Sequence, residues 1–394
     1  MTAPTIRPID AQEMPEAVYP LTSYALHPSP PLPDKEEWTE RVTRRQGVTC
    51  FAAYEGKTSV ACAASSPMTQ NVRGALLAMG GIWGVATNPA ARRKGYCRTL
   101  MARLLEAMHA GGRALSALYP FRESFYERLG WVTLPQPVKY TFAPSALAPL
   151  LETDLPGEVQ IALSGEAHDA YQEYVRQMQR RTHGMATFDF VDPASAQWNH
   201  SWQAQAQVDG KTVGLMLYRL SGKGPTQYTL SASRFYYGTA QAKYLLLQWI
   251  ARHIDQANQV ELWLPAFERP ETWLSDMDVA PEKGRFTPMG RIVDLAQLVG
   301  LQTGPGHFQV RVRDPHCPWN EGCWRLETAN GRLQVRRSSE ADCELSIQGL
   351  SALVYGAHDP GDLWVRGWGD PSPETLATMR AMFPPKLAYL HEWF

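Results

Sequence analysis

The sequence predicts an α+β protein built from more than one domain, and three observations carry that reading. The chain has 394 residues, too many for one ordinary core, so two or three domains are expected. Short apolar runs with strand character alternate with stretches whose apolar residues recur at helical spacing. Hydrophobic residues make up 44% of the chain and aromatic residues 10%, enough to fill real cores.

The first segment opens on a helix and runs into a hairpin, in which residues 48–54 turn at Glu55-Gly56 and return through 57–65. Residues 76–86 are apolar and rich in glycine, as in a buried strand that another group approaches closely. Between 93 and 109, Leu100, Met101, Leu104, Leu105 and Met108 fall on one helical face, and Gly111-Gly112 stops the helix. Residues 114–119 form another short buried strand, ending before Pro120. In the middle region, 208–220 and 227–237 read as strands, 240–254 as a helix and 260–264 as a strand, before a proline-rich stretch at 265–288. Beyond it, 292–298 reads as a short helix, then 308–314, 322–327 and 332–337 as hairpin strands with a turn at Ala329-Asn330-Gly331. A strand at 343–347 and helices at 350–355 and 371–382 complete the order. The chain ends His391-Glu392-Trp393-Phe394 without a polar tail, unlike most termini.

A net charge of −1 argues against a nucleic-acid partner, which needs a basic surplus to neutralise phosphates. No apolar run approaches the ~20 residues of a membrane span and no signal pattern opens the chain, so a soluble, cytoplasmic protein is expected. The six cysteines are irregularly spaced. Cys317 and Cys323 could suggest a metal loop, but no CxxC or HxxxH pair accompanies them, so buried free thiols and no metal are expected.

The most informative run follows the strand at 76–86. It reads Val85, Ala86, Thr87, Asn88, Pro89, Ala90, Ala91, Arg92, Arg93, Lys94, Gly95, Tyr96, Cys97, Arg98. A buried strand ends, a turn follows, and a helix opens on a basic segment that contains glycine. The first amides of a helix lack internal partners and carry partial positive charge, so a pyrophosphate can settle there. Gly95 clears the approach, while Arg92, Arg93, Lys94 and Arg98 add cationic donors. Free backbone groups at Val85, Ala86 and Thr87 can pair with an amide-bearing pantetheine arm as an added strand would. The competing reading is an exposed basic helix start on a structural unit. Cations there oppose the helix dipole unless an anion is bound, which favours the functional reading.

The order strand, Arg92-x-x-Gly95-x-Cys97, amphipathic helix, strand, and then Phe125-Tyr126-Glu127-Arg128-Leu129-Gly130-Trp131 resembles the GNAT acetyltransferase superfamily. The usual loop there is R/Q-x-x-G-x-G/A, so Cys97 is a mild departure. With Pro318-Trp319-Asn320 and the terminal Phe394, the resemblance narrows to the enhanced-intracellular-survival (Eis) family over essentially the whole chain. It implies an N-terminal GNAT domain (1–148), a central degenerate GNAT-like domain without a cofactor motif (149–287), and a C-terminal sterol-carrier-protein-like domain (288–394). The central region fits, because Tyr236-Tyr237-Gly238-Thr239 leads into its helix with no R-x-x-G-x-G.

The resemblance also implies acetyl-CoA as co-substrate, contacted further by Phe121 and Arg122. It makes Tyr126 the general acid that protonates the leaving thiolate, as its ordinary pKa near ~10 allows. Its alternative is a core tyrosine packed under Trp131. The Phe394 α-carboxylate stands as base or as anchor for the substrate ammonium; a carboxyl titrating near ~3.5 is a poor base unless burial or a bridging water helps. Exposing Trp393 and Phe394 together would be costly, so a docked terminus is expected, with Glu392 as the alternative carboxylate. His27, His183 and His391 are weaker candidates. The acceptor would be an amine: polyamine-like, aminoglycoside-like or a lysine side chain. A homo-oligomer, up to a hexamer, is implied by the family alone. The rival reading is a non-catalytic carrier of acyl-CoA or lipid, which would need neither Tyr126, nor a free terminus, nor the loop ending in Gly95.

Overall fold

A computed structural model of the chain describes residues 5–191, 200–284 and 286–394. Contacts gather it into two compact units. The first comprises Met1–Pro135, His183–Asp192 and Phe286–Phe394; the second comprises Gln136–Thr182 and Pro193–Arg285.

The first unit begins with β1 (Thr5–Ile9), α1 (Met14–Ala17), α2 (Tyr19–Leu26), α3 (Lys35–Thr43), β2 (Thr49–Glu55), β3 (Thr58–Val72) and β4 (Ala75–Thr87). It continues through α4 (Tyr96–Ala110), β5 (Leu115–Leu118), α5 (Glu123–Glu127) and β6 (Val132–Thr133). β1 to β5 lie in sequence order in one sheet, antiparallel except that β5 runs parallel to β4. A parallel pair needs a crossover, and α4 supplies it. Its Leu100, Met101, Leu104, Leu105 and Met108 are all buried as the spacing predicts, each worth roughly 1.5–3 kcal/mol of transfer free energy.

The second unit holds β7 (Val138–Phe142), β8 (Glu158–Leu163) and α6 (His168–Arg181); β9 (Ala186–Phe188) belongs to the first unit, where it pairs with β3. It resumes with β10 (Trp202–Val208), β11 (Lys211–Gly222), β12 (Tyr228–Tyr237), α7 (Ala240–Ala251), β13 (Ala257–Leu264) and β14 (Ala280–Lys283). Here too a strand, a helix and a parallel strand follow one another, β12, α7 and β13. The strand expected at 208–220 is β11, which starts at Lys211; Val208 ends β10, and Asp209 and Gly210, both at positive φ, turn the chain between the two.

The chain then returns to the first unit with β15 (Met289–Ile292), β16 (His307–Arg313), β17 (Gly322–Ala329), β18 (Arg332–Arg337), β19 (Cys343–Ser346), α8 (Ile347–Tyr355) and α9 (Pro373–Met382). β16 to β19 form a four-stranded sheet. The helix expected at 292–298 is a correction. Residues 289–292 pair with β5 and β6, and only a 3-10 turn, Leu295–Gln297, follows. A short apolar run does not distinguish strand from helix by periodicity, and the unpaired edge of β5 decides it.

A buried ion pair sits under this returning strand. Arg291 is fully buried and its Nη2 donates to both carboxylate oxygens of Asp314, at 2.6 and 2.7 Å. It also donates to the carbonyls of Ile292 and Leu129 and lies over the Trp131 ring. Asn320 donates to Asp314 at 2.9 Å, and its neighbour Trp319 donates to the Val293 carbonyl and stacks on His109 of α4. Pro318, Trp319 and Asn320 are thus structural.

Candidate active site

β4 changes partner halfway along. Its parallel pairing with β5 stops at Ile82 opposite Leu118, and residues 83–87 have no strand on that side among the described residues. On the other side a bulge sets Gly84, at φ +63°, and Val85 against the single residue Ala63. The two strands therefore part where Val85, Ala86 and Thr87 lie. Ala86 is buried, and Val85 and Thr87 are half-buried.

The loop after β4 is held by short-range capping. Asn88 accepts from the Ala90 amide, and Arg92 closes the turn that follows. Arg93 and Gly95 both take positive φ, +65° and +87°, so the chain enters α4 through a left-handed residue with no side-chain cap on the first amides. Those amides are the donors an anion would meet. The cations divide into two groups. Lys94 is committed to Glu55 at 2.8 Å, and the Tyr96 hydroxyl donates to the same carboxylate at 2.6 Å. Those two bonds hold the Glu55 carboxyl below its ordinary range and fasten the β2–β3 turn to the loop. Arg92, Arg93 and Arg98 are exposed and have no carboxylate partner among the described residues.

The second unit supplies a contrast. Its β12-to-α7 connection is only Gly238 and Thr239, and the Thr239 side chain accepts from the Ala242 amide. The helix start is capped from within.

Tyr126 is buried in α5, edge-on to Phe125, Phe121 and Trp131 at ring separations of 5.0, 5.8 and 6.3 Å. Its hydroxyl has no hydrogen-bond partner among the described residues, whereas buried tyrosines such as Tyr355 donate to side chains. Burial first, and then the nearby Cys97, push that hydroxyl above the ordinary tyrosine value. Burial likewise pushes the Cys97 thiol up to about 12. Phe121 is 65% exposed, and Arg122 is the exposed N-cap of α5.

The chain terminus comes to the same region. The Phe394 ring occupies the space left by Gly81: a Cβ there would lie 2.8 Å from it. Trp393 stacks on Tyr119 at 4.2 Å, Phe394 lies 5.5 Å from the same ring, and the Tyr119 hydroxyl donates to the Glu392 carbonyl at 3.0 Å. Tyr119 and Phe121 leave the end of β5 together, one touching Phe394 and the other Tyr126. The structure thus gathers the loop, Tyr126 and the terminus around the point where β4 and β5 separate.

His183 and His391 are accounted for elsewhere: His183 bonds the Arg73 amide and the Tyr355 carbonyl, and His391 bonds the Tyr389 hydroxyl. His27 follows α2 as its C-cap. Cys50, Cys62 and Cys317 are buried free thiols, while Cys97, Cys323 and Cys343 are half-buried. No group of three metal-binding side chains occurs among the described residues, and no described helix is long and apolar enough to cross a membrane. Sequence reasoning did not find Glu55 or the tail-holding Arg73. Gly81 was visible only within the glycine-rich run 76–86, read as a strand that another group approaches closely.

Residues 5–134 match the model of the acetyltransferase (GNAT) domain, and residues 296–391 match that of the sterol carrier protein domain. An N-acetyltransferase of Streptomyces avermitilis is 26% identical over 321 residues, covering 72% of this chain and 73% of the relative. One from Streptomyces coelicolor is 24% identical over 311 residues, covering 72% of each chain. Among solved structures, a GCN5-related N-acetyltransferase of Anabaena variabilis superposes with a TM-score of 0.83 at 16% identity, over 99% of this chain and all of that one. Eis1 of Mycobacterium abscessus superposes with a TM-score of 0.77 at 17% identity over the full length of both. Residues 5–134 therefore form a GNAT-type acetyltransferase domain. The architecture of the chain is Eis-like, a GNAT domain joined to a C-terminal sterol-carrier-protein-like domain, and the enzyme reading stands over the carrier reading.

Proposed function

We propose that this protein transfers the acetyl group of acetyl-CoA to an amine, with Tyr126 as general acid and the Phe394 carboxylate as base or ammonium anchor. The observation that carries the reading is the convergence just described. A strand end with free backbone groups, a helix start with uncapped amides, an unpartnered tyrosine hydroxyl and the chain terminus all meet where β4 leaves β5. In this reading the pantetheine arm lies along Val85, Ala86 and Thr87. The pyrophosphate lies on the amides of Gly95, Tyr96, Cys97 and Arg98, with Arg92, Arg93 and Arg98 as the free cations; Lys94 acts indirectly, by holding the loop to Glu55.

The amine nitrogen attacks the thioester carbonyl, the C–S bond breaks, and the thiolate takes the proton of Tyr126 while the amine proton leaves toward the terminal carboxylate or water. A tyrosine above its ordinary pKa would be a poor donor to a thiolate in water. The same burial raises a thiol, however, as Cys97 at about 12 shows, so donor and acceptor shift together. The functional partition of the chain is taken at residues 148 and 287, with the acceptor an amine of the polyamine, aminoglycoside or lysine type, in a cytoplasmic homo-oligomer.

The test is release of free thiol from acetyl-CoA over a panel of amines. Tyr126→Phe should lower kcat by at least about 100-fold while acetyl-CoA affinity stays within about threefold. Deleting Phe394, or extending the chain past it, should abolish turnover without lowering the melting temperature. Equal turnover in either variant would remove that group's role.

A further inference from the structure

Arg45 lies just beyond α3, its guanidinium 4.8 Å from the centroid of the Trp83 ring on β4. Its Nη1 is buried and has no hydrogen-bond partner among the described residues. The neighbouring charge is Arg41, a second cation; burial first, and then Arg41, lower the Arg45 pKa to about 10, so it stays charged at neutral pH. The two buried arginines of this unit are satisfied. Arg291 has Asp314, and Arg73 has the carbonyls of Leu353, Val354 and Pro384. Arg45 itself is half-buried, and its occluded Nη1 without an acceptor carries an uncompensated desolvation cost.

Its position relates it to the site. Residues 81 to 83 of β4 pair regularly with β3, so Trp83 and Gly81 face the same side of the sheet. The space beside Gly81 holds the Phe394 ring, whereas a Cβ at Gly80 would meet Met108 of α4 on the opposite side. The Trp83 indole is fixed by donating to Ser66 Oγ at 2.9 Å. The face of β4 that carries the chain terminus therefore also carries a cation without a counter-charge, about 7 Å further along the strand. A guanidinium stacked on an indole keeps the N–H groups of its edge available for a two-point bond to an oxyanion.

We propose that Arg45, stacked on Trp83, is a subsite for an oxyanion, a carboxylate or a phosphate, carried by the acceptor amine. This rests on the acyl-transfer reading above and narrows it. The acceptor is an amine, received at the Phe394 carboxylate, with an anionic group a few bonds away; a polycationic amine would set a further cation against Arg41 and Arg45.

The test uses acceptors in matched pairs: 4-aminobutyrate against its amide, and ethanolamine phosphate against ethanolamine. The two pairs separate carboxylate from phosphate. In the wild-type protein at least one anionic member should exceed its neutral partner in kcat/KM by about tenfold, chiefly through KM. Arg45→Gln should bring that ratio close to one, and Arg45→Lys should keep part of it. Calorimetric titration of the full-length protein with the preferred anionic amine, CoA present, should show about tenfold weaker binding in Arg45→Gln. A wild-type ratio near one in both pairs, or a ratio that survives Arg45→Gln, would overturn the subsite; the wild-type comparison needs no variant to fold. Binding that depends on Arg45 with no turnover of any amine would retain the subsite and sink the acyl-transfer reading. Turnover indifferent to Arg45 would do the reverse.

Discussion

At the scale of single residues, Gly95 and Tyr126 show two ways in which a site is made available. Gly95 sits at φ +87°, where a side chain costs about 1–2 kcal/mol, and its nearest neighbour for an added Cβ is Arg98 Nη2 at 3.8 Å. There is room for a side chain in the protein alone, so the demand for glycine comes from the backbone turn and from whatever approaches the amides. Gly95→Glu would put a carboxylate where the diphosphate is placed. Acetyl-CoA affinity should fall by at least about tenfold by calorimetry, and unchanged affinity would put the coenzyme elsewhere. Tyr126 was legible from its motif; its unpartnered hydroxyl was not, because hydrogen-bond satisfaction depends on what the fold brings near. It does pack against Trp131, and that packing is compatible with the acid role proposed for it.

At the scale of elements, the amphipathic helix α4, the β2–β3 hairpin and the strands of the last third follow from patterns short enough to read along the chain. β15 was misread because its four residues, Arg291 included, are all buried, and a run buried on both faces has no period. That strand brings Arg291 under Leu129 and Trp131, three and five residues past Tyr126. Gln348 of α8 also donates to the Glu127 carbonyl, and Arg366 pairs with the Glu127 carboxylate at 2.7 Å, so the end of α5 is held from the last third of the chain. Arg291→Met should destabilise by about 3–5 kcal/mol in urea unfolding, because Asp314 would remain charged, buried and unpaired. Adding Asp314→Leu should recover a large part of the loss. A single variant as stable as wild type would show that the pair contributes nothing net.

At the scale of the first unit, the chain's final residues are placed by long-range bonds. Arg73 Nη2 donates to the Pro384 carbonyl, the Tyr389 amide donates to the His183 carbonyl at 2.8 Å, and Gly184 leaves no space between itself and Ala388. His183 is held neutral, since Nδ1 accepts from the Arg73 amide while Nε2 faces the Tyr355 carbonyl, and burial lowers its pKa to about 4. Its folded value lies below its unfolded one, near ~6.5, so its contribution is complete above that pH. As pH falls from ~6.5 to about 4 the unfolded chain takes up the proton first, and stability drops by up to roughly 3 kcal/mol. Denaturant midpoints measured from pH 7.5 to 4 should show this slope, and His183→Gln should flatten it. Burial lowers His316 and His358 as well, so some slope remains. A variant with the full wild-type slope would assign the effect elsewhere.

The sequence by itself determined the α+β class, the crossover helix with its basic glycine-bearing start, the tyrosine motif and an aromatic terminus expected to dock, of which Phe394 is half-buried while Trp393, stacked on Tyr119, stays 51% exposed. Each is a local pattern, set by helical or strand period, by backbone freedom at a glycine, or by the tendency of aromatic rings to pack. Only the tertiary structure decided where that terminus goes, which cation of the loop is already engaged by Glu55, and that Arg45 is left without a partner on the same sheet face. Those outcomes depend on groups far apart in the chain meeting in space, and no periodicity or spacing along a single chain encodes which buried charge finds its counterpart and which does not.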